Sequence, residues 1–92
     1  MDGNEVRIRS WTRASEDEAK QGLLGYLSIV LGDVVVDGVT ARRTQDGRLV
    51  LSWPEKRDRQ GRAHPYVRPL NDEARRRIEK AVFGAAVTEV VE

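Results

Sequence analysis

The stretch GLLGYLSIVLGDVVVDGVTARR, residues 22–43, contains two apolar runs separated by Gly32 and Asp33. The first run includes β-branched and aromatic residues and is interrupted by glycine, which favours a strand over a helix. The second run is also strand-like, and its Asp37-Gly38 pair marks a possible bulge or kink. We therefore predict two central strands, at residues 22–31 and 33–43.

Further strand patterns lie on both sides of this stretch. At residues 5–11, Val and Ile alternate with Arg, which is the period of a half-buried strand. Residues 48–53 follow an Asp-Gly hairpin signal, place two leucines and a tryptophan on one face, and end at Pro54. The polar, acidic segment at residues 12–20 is interpreted as a connection.

A C-terminal helix is predicted at residues 72–87. Asn71 is a suitable N-cap, and the two acidic residues after it lie where the helix dipole favours anions. Apolar residues recur at helical spacing, and the positions predicted to face the core are Ala74, Ile78, Ala81, Val82 and Ala85. The positions predicted to face outward are Arg75, Arg76, Glu79 and Lys80.

These elements predict one α+β domain over residues 1–92, a small antiparallel β-sheet of four to five strands with one C-terminal α-helix. A single helix covers only one face of such a sheet and leaves its edges unpaired. Pairing with a second copy removes that exposure, so we expect a homodimer.

Composition excludes several classes of protein. The 92 residues are 39% hydrophobic, which suits the core of one small domain. The chain has no cysteine and one histidine, which excludes disulfides, thiolate catalysis and the common zinc sites. No apolar run reaches the roughly 18 residues of a membrane span, and no signal peptide is visible. We expect a soluble cytoplasmic protein with no cofactor, metal or small-molecule substrate.

Charge is unevenly distributed, although the net charge is only +1. Residues 42–80 carry 12 Lys and Arg against 6 Asp and Glu, a net of +6, while residues 1–41 and 81–92 have net charges of −3 and −2. Many of these cations lie in a basic loop predicted at residues 54–70. The candidate site residues are Lys56, Arg57, Arg59, Arg62 and Arg68 in the loop, with Arg75 and Arg76 at the helix start.

Two interpretations of these cations stay open. In the first, the loop is a flexible cationic arm that neutralises phosphates of a nucleic acid, for which the planar fork of arginine is well suited. In the second, the loop and helix surface are only solvated, with local ion pairs.

Aromatic and acidic residues add weaker signals. Tyr66, inside the basic loop, either stacks on an unpaired base or covers the sheet edge. Trp11 and Trp53 end strands on an apolar face, so we expect them in the core or a dimer interface. Asp33 and Asp37 are the best candidates for a nuclease-like Mg²⁺ site, yet the Asp-Gly pair is also explained as a bend. We expect no enzymatic activity.

An ordered set of motifs extends over residues 54–82. It comprises P-x-K-R, a glycine four residues after the arginine, P-L-N before the helix, and R-x-x-I-x-x-A-V within it. With VRIR at residues 6–9, SIVL at 28–31 and the DG turn before LVLSWP, this pattern resembles the signature of the SpoVG family of sporulation and septation regulators. Arg68 differs from the family pattern, which commonly has His before the last proline.

The resemblance implies a small dimeric β-sheet domain with a C-terminal helix, in bacterial proteins that bind DNA and RNA and influence septation, sporulation and gene expression. It implies nucleic-acid contacts by Lys56 and Arg57, and Arg75 also matches the pattern. Our first hypothesis is therefore a nucleic-acid-binding regulator. The second is a protein-interaction module in cell division or development that does not bind nucleic acid and uses its sheet edge or its acidic segment at residues 15–18.

Overall fold

The computed structural model describes the backbone of residues 5–91 and the side chains of residues 5–84. Along the chain the elements are β1 (Val6–Arg13), α1 (Glu16–Lys20), β2 (Leu23–Leu31), β3 (Val34–Arg43), β4 (Leu49–Ser52), β5 (Glu55–Arg57), β6 (Ala63–Pro65) and α2 (Asp72–Val91). The first four strands form one antiparallel sheet in the order β1-β2-β3-β4, and β5 and β6 form a separate two-stranded sheet.

The predicted α+β class, four-stranded antiparallel sheet and C-terminal helix are confirmed. Two predicted connections are wrong. The basic loop at residues 54–70 contains the β5–β6 hairpin, and the connection at residues 12–20 contains the end of β1 and all of α1. A capping box starts α1, because Ser15 and Glu18 each accept a hydrogen bond from the other's backbone N–H.

The predicted bulge at Asp37-Gly38 is confirmed. Leu27 pairs with Val39 and Ile29 with Val36, so Ser28 alone lies opposite two residues of β3. Gly38 has a φ of +78°, a left-handed conformation that favours glycine, and the Ser28 hydroxyl donates to the Asp37 carboxylate at 2.6 Å. Within the described part of the chain, no three or more acidic or histidine side chains are grouped to hold a metal ion.

The core lies between one face of the four-stranded sheet and α2. Its most completely buried side chains are Ile29 of β2, Val39 of β3 and Val82 of α2. Trp11 and Trp53 pack against this cluster, as expected for the core side. Among the described elements, α1 alone lies near the opposite face, where the Tyr26 hydroxyl donates to Glu18.

The N-terminus of α2 follows the prediction closely. The Asn71 side chain accepts a hydrogen bond from the Ala74 backbone N–H at 2.8 Å, which confirms the N-cap. Ala74, Ile78 and Val82 are buried as predicted, whereas Ala81 is exposed. Ala85 lies outside the residues whose side chains are described. No helix in the described range is both long and apolar enough to cross a membrane.

Glu79 departs from the predicted helix surface, because it is buried, with 9% of its area exposed. One carboxylate oxygen accepts from the backbone N–H of Leu51 on β4 at 3.0 Å, and the other accepts from the Arg75 guanidinium at 3.2 Å. A buried carboxylate is tolerated when such donors replace water. This contact joins α2 to the edge of the sheet.

Trp11 also packs closely over a glycine of β2. A Cβ added at Gly25 would lie 2.5 Å from the Trp11 ring and 2.7 Å from the Thr12 carbonyl oxygen. We predict that Gly25→Ala lowers the free energy of unfolding by about 1–3 kcal/mol, because the ring or the β1 backbone must move. Urea unfolding measures the effect.

Gly84→Ala is the matched control, since a Cβ at this helical position meets no atom of the described residues within 4 Å. It should raise the free energy of unfolding by about 0.5–1 kcal/mol, the usual gain of alanine over glycine in a helix. Equal effects of the two substitutions would contradict the packing of Trp11 on Gly25.

Candidate nucleic-acid interface

The β5–β6 hairpin projects from the main sheet. Lys56 pairs with His64 and Arg57 with Ala63, and every residue of the two strands is exposed. Across the described residues, the hairpin strands contact no other strand or helix. At its base the Tyr66 backbone N–H donates to the carbonyl of the proline before β5, at 2.9 Å. The predicted flexible arm is thus an ordered, two-stranded one.

Asp58 organises the turn of this hairpin. Its Oδ1 accepts hydrogen bonds from the backbone N–H groups of Gln60 and Arg62, both at 2.9 Å, and its Oδ2 lies 2.8 Å from Nε2 of His64. Gly61 has a φ of +81°, and its N–H donates to the Asp58 carbonyl at 3.0 Å. Because an isolated two-stranded hairpin is marginally stable in water, these local bonds carry much of its order.

The hydrogen bonds of the turn also lower the pKa of the Asp58 carboxylate. The His64 ring, and after it the Arg62 backbone N–H, lower the pKa of Asp58 below its ordinary value of 3.8. Since the folded state depresses this pKa, the carboxylate stabilises the turn above its unfolded pKa. That stabilisation is lost as the pH falls through the folded pKa.

Three of the seven predicted site residues have partners within the chain. Arg57 donates to the Gly61 carbonyl at 2.7 Å, and Arg62 pairs with the turn carboxylate at 3.3 Å. Arg75 is half-buried and pairs with Glu79. Through these contacts the three arginines stabilise the fold, whether or not they also contact a ligand.

The other four predicted site residues are exposed. None of them has a hydrogen bond or ion pair among the side chains that the structure describes: Lys56, Arg59, Arg68 and Arg76. Lys56 lies on β5 and Arg59 in the turn, so the hairpin holds two free cations close together. The hairpin and α2 do not touch, so the structure does not bring the helix arginines into contact with it.

Tyr66 lies at the base of the hairpin with 69% of its area exposed. That exposure does not fit the alternative in which it covers the sheet edge. An exposed aromatic ring in a basic segment is a combination found where single-stranded nucleic acids bind, because every base has a face that can stack.

Two important side chains were not singled out from the sequence. Asp58 counted only as an anion in a basic segment, although Asp58 followed by Gly61 is itself a turn signal. Glu79 was predicted to face solvent. Its buried contact has no local signal, because its partner is a backbone group 28 residues away.

In comparisons with known proteins, no family model matches this sequence, and no curated protein matches it significantly.

Replacing Asp58 should open the turn without unfolding the body of the protein. In Asp58→Ala, we predict that the Gln60 and Arg62 amides exchange with solvent at least about tenfold faster, because both lose their acceptor. The Ile29 amide should be unaffected, since the hairpin does not contact the sheet. Hydrogen exchange followed by NMR measures all three.

Asp46→Ala is the matched control, because Asp46 accepts from the Thr44 hydroxyl in the turn before β4. It should leave the Gln60 and Arg62 amides protected. Unchanged protection of these amides in Asp58→Ala would contradict the organising role of the carboxylate.

The lowered pKa of Asp58 predicts a pH-dependent transition confined to the hairpin. The amide chemical shifts of Gln60 and Arg62 should titrate with a midpoint below 3.8, because protonation weakens the acceptor of both bonds. An NMR pH titration measures the midpoint. The transition should be absent in Asp58→Ala, and a midpoint above 3.8 in the natural sequence would contradict the assigned contacts.

Proposed function

We propose that this protein is a nucleic-acid-binding regulator that contacts phosphates through its β5–β6 hairpin. The observation that carries the proposal is the presence of free cations on a projecting element, where Lys56 and Arg59 have no anion to neutralise them within the described residues. Cations of this kind gain affinity for a polyanion by releasing its condensed counterions.

The hairpin favours single-stranded DNA or RNA. Its strands have only three residues each, so it offers a few phosphate contacts rather than an element that fills a groove of a duplex. Tyr66 adds a stacking surface that accepts any base. Because phosphate and stacking contacts carry little sequence information, we propose binding with weak sequence preference.

The motif pattern supports the same proposal. Its P-x-K-R element forms the start of the hairpin and includes Lys56 and Arg57. The SpoVG resemblance extends the proposal to a cytoplasmic bacterial regulator of gene expression, septation or development, without enzymatic activity.

The free cations provide the cleanest test, because removing these side chains breaks no hydrogen bond or ion pair among the described residues. In Lys56→Ala/Arg59→Ala we predict weaker binding to labelled single-stranded DNA and RNA. The dependence of log K on log salt should become shallower by about 1.4, since each lost phosphate contact on a single strand contributes about 0.7. Fluorescence anisotropy across a salt series measures both quantities.

Lys20→Ala/Arg43→Ala removes the same two charges from exposed positions away from the hairpin. This control should keep the salt dependence of the natural sequence. If both double variants lose affinity equally, the binding is a general charge effect and the hairpin assignment is wrong. If the natural sequence binds neither polymer at low salt, the proposed function itself is wrong.

We also propose that the protein is a homodimer formed through the sheet face opposite α2. Two apolar or aromatic side chains on this face are substantially exposed, Tyr26 at 42% and Val35 at 48%. A second copy covering this face would carry a second hairpin, and two linked arms bind one strand more tightly than one arm does.

Neighbouring valines on opposite faces of β3 give a matched test of the dimer. Val35→Glu should produce a monomer, because it places a charge in the proposed interface. Val34→Glu should stay dimeric, since Val34 points to the other face and is already 59% exposed. Sedimentation equilibrium measures the mass, and a monomeric natural sequence would contradict the proposal.

A further inference from the structure

A groove of about 570 Å³ lies between strand β1 and helix α2. Residues 6–11 of β1 form one wall, and Ala81 and Val82 of α2 form the other. Ala81 is exposed here although its spacing predicts a core position. The groove is far from the hairpin in the topology, because β1 is the opposite edge of the sheet from β4, which leads into β5.

β1 is an edge strand that can accept another strand. Among the residues that the structure describes, it pairs with β2 on one side only, so its other side presents backbone N–H and C=O groups without sheet partners. A helix beside such an edge supplies a wall against which the side chains of an added strand can pack. This combination of backbone ladder and side-chain groove is a common way of binding extended peptides.

The charge of the groove identifies the occupant. The β1 residues that line the groove include two arginines, Arg7 and Arg9, and no acidic residue. Arg7 is paired with Glu5 at 3.3 Å, whereas Arg9 has no charged partner among the described residues. An acidic segment complements these cations.

A second copy of β1 is a poor occupant. Antiparallel pairing of two β1 strands would bring the arginines of both copies to one seam, and like charges opposite each other destabilise a sheet. A nucleic acid is also a poor occupant, because it lacks the regular N–H and C=O groups that would complete the ladder along the edge.

Before the register shift between Ile8 and Ser10, the two faces of β1 specify the pattern of the segment. Ile8 pairs with the fully buried Ile29 and so faces α2, whereas Arg7 pairs with Val30 on the opposite face. Cross-strand neighbours share a face, so an added strand needs apolar side chains towards α2 and acidic ones towards Arg7. We infer that the groove binds an extended segment of a partner protein in which acidic and apolar residues alternate. This goes beyond nucleic-acid binding and uses a different surface.

Fluorescence anisotropy with the full chain and the labelled peptide EVELEVE tests the inference. The peptide should bind saturably, and the composition-matched peptide EEEEVLV should bind at least about tenfold more weakly, because it cannot place its charges on one face. Ala81→Glu should weaken EVELEVE binding about tenfold or more, since it puts a charge on the helix wall against which the apolar side chains of the peptide pack.

Ala19→Glu, at an exposed position on α1, makes the same charge change outside the groove and should bind EVELEVE like the natural sequence. Equal affinity for the two peptides, equal affinity of the two variants, or no EVELEVE binding at about 1 mM would overturn the inference.

Loss of self-association in Ala81→Glu alone would assign the groove to a second copy. A single-stranded oligonucleotide could displace the peptide and itself bind the Ala81→Glu variant more weakly than it binds the natural sequence. That result would assign the groove to nucleic acid. Either assignment would also overturn the inference.

Discussion

The hydrogen bond from the Leu51 backbone N–H to the Glu79 carboxylate fixes α2 against the sheet. β4 is a short edge strand, so its backbone depends on partners from outside the sheet. Glu79 provides one, and Arg75 provides the second donor that keeps the buried carboxylate satisfied. The helix therefore lies across one face of the sheet and contacts both edge strands, β1 and β4. Its position leaves the opposite face open and creates the groove along β1.

The protein consists of two structural units, the body and the β5–β6 hairpin. The body, which comprises β1–β4 and α2, depends on long-range packing among these elements. The hairpin depends on local bonds centred on Asp58, and it carries the free cations. Arg57 and Arg62 build the hairpin, whereas Lys56 and Arg59 remain available to a ligand. Substitutions in the hairpin can thus change binding without changing the stability of the core.

The sequence predicted features whose causes are local. The apolar runs at residues 22–43, the bulge at Asp37-Gly38 and the Asn71 cap each follow from neighbouring residue types. The strands of the hairpin could not be predicted in this way. Their sequences, EKR and AHP, lack apolar alternation and depend on side-chain bonds to Asp58. The buried position of Glu79 depends on a distant backbone group. Likewise, the sequence identifies the cations of the candidate site but not which of them are already paired.

Chemical-shift mapping by NMR locates the surface of the protein that binds nucleic acid. In a titration of the ¹⁵N-labelled protein with a short single-stranded oligonucleotide, the shift changes should concentrate at residues 55–66 and decrease as salt is added. The amides of β1 should not move. Changes confined to the groove between β1 and α2, or no change at low salt, would contradict the assignment of nucleic-acid binding to the hairpin.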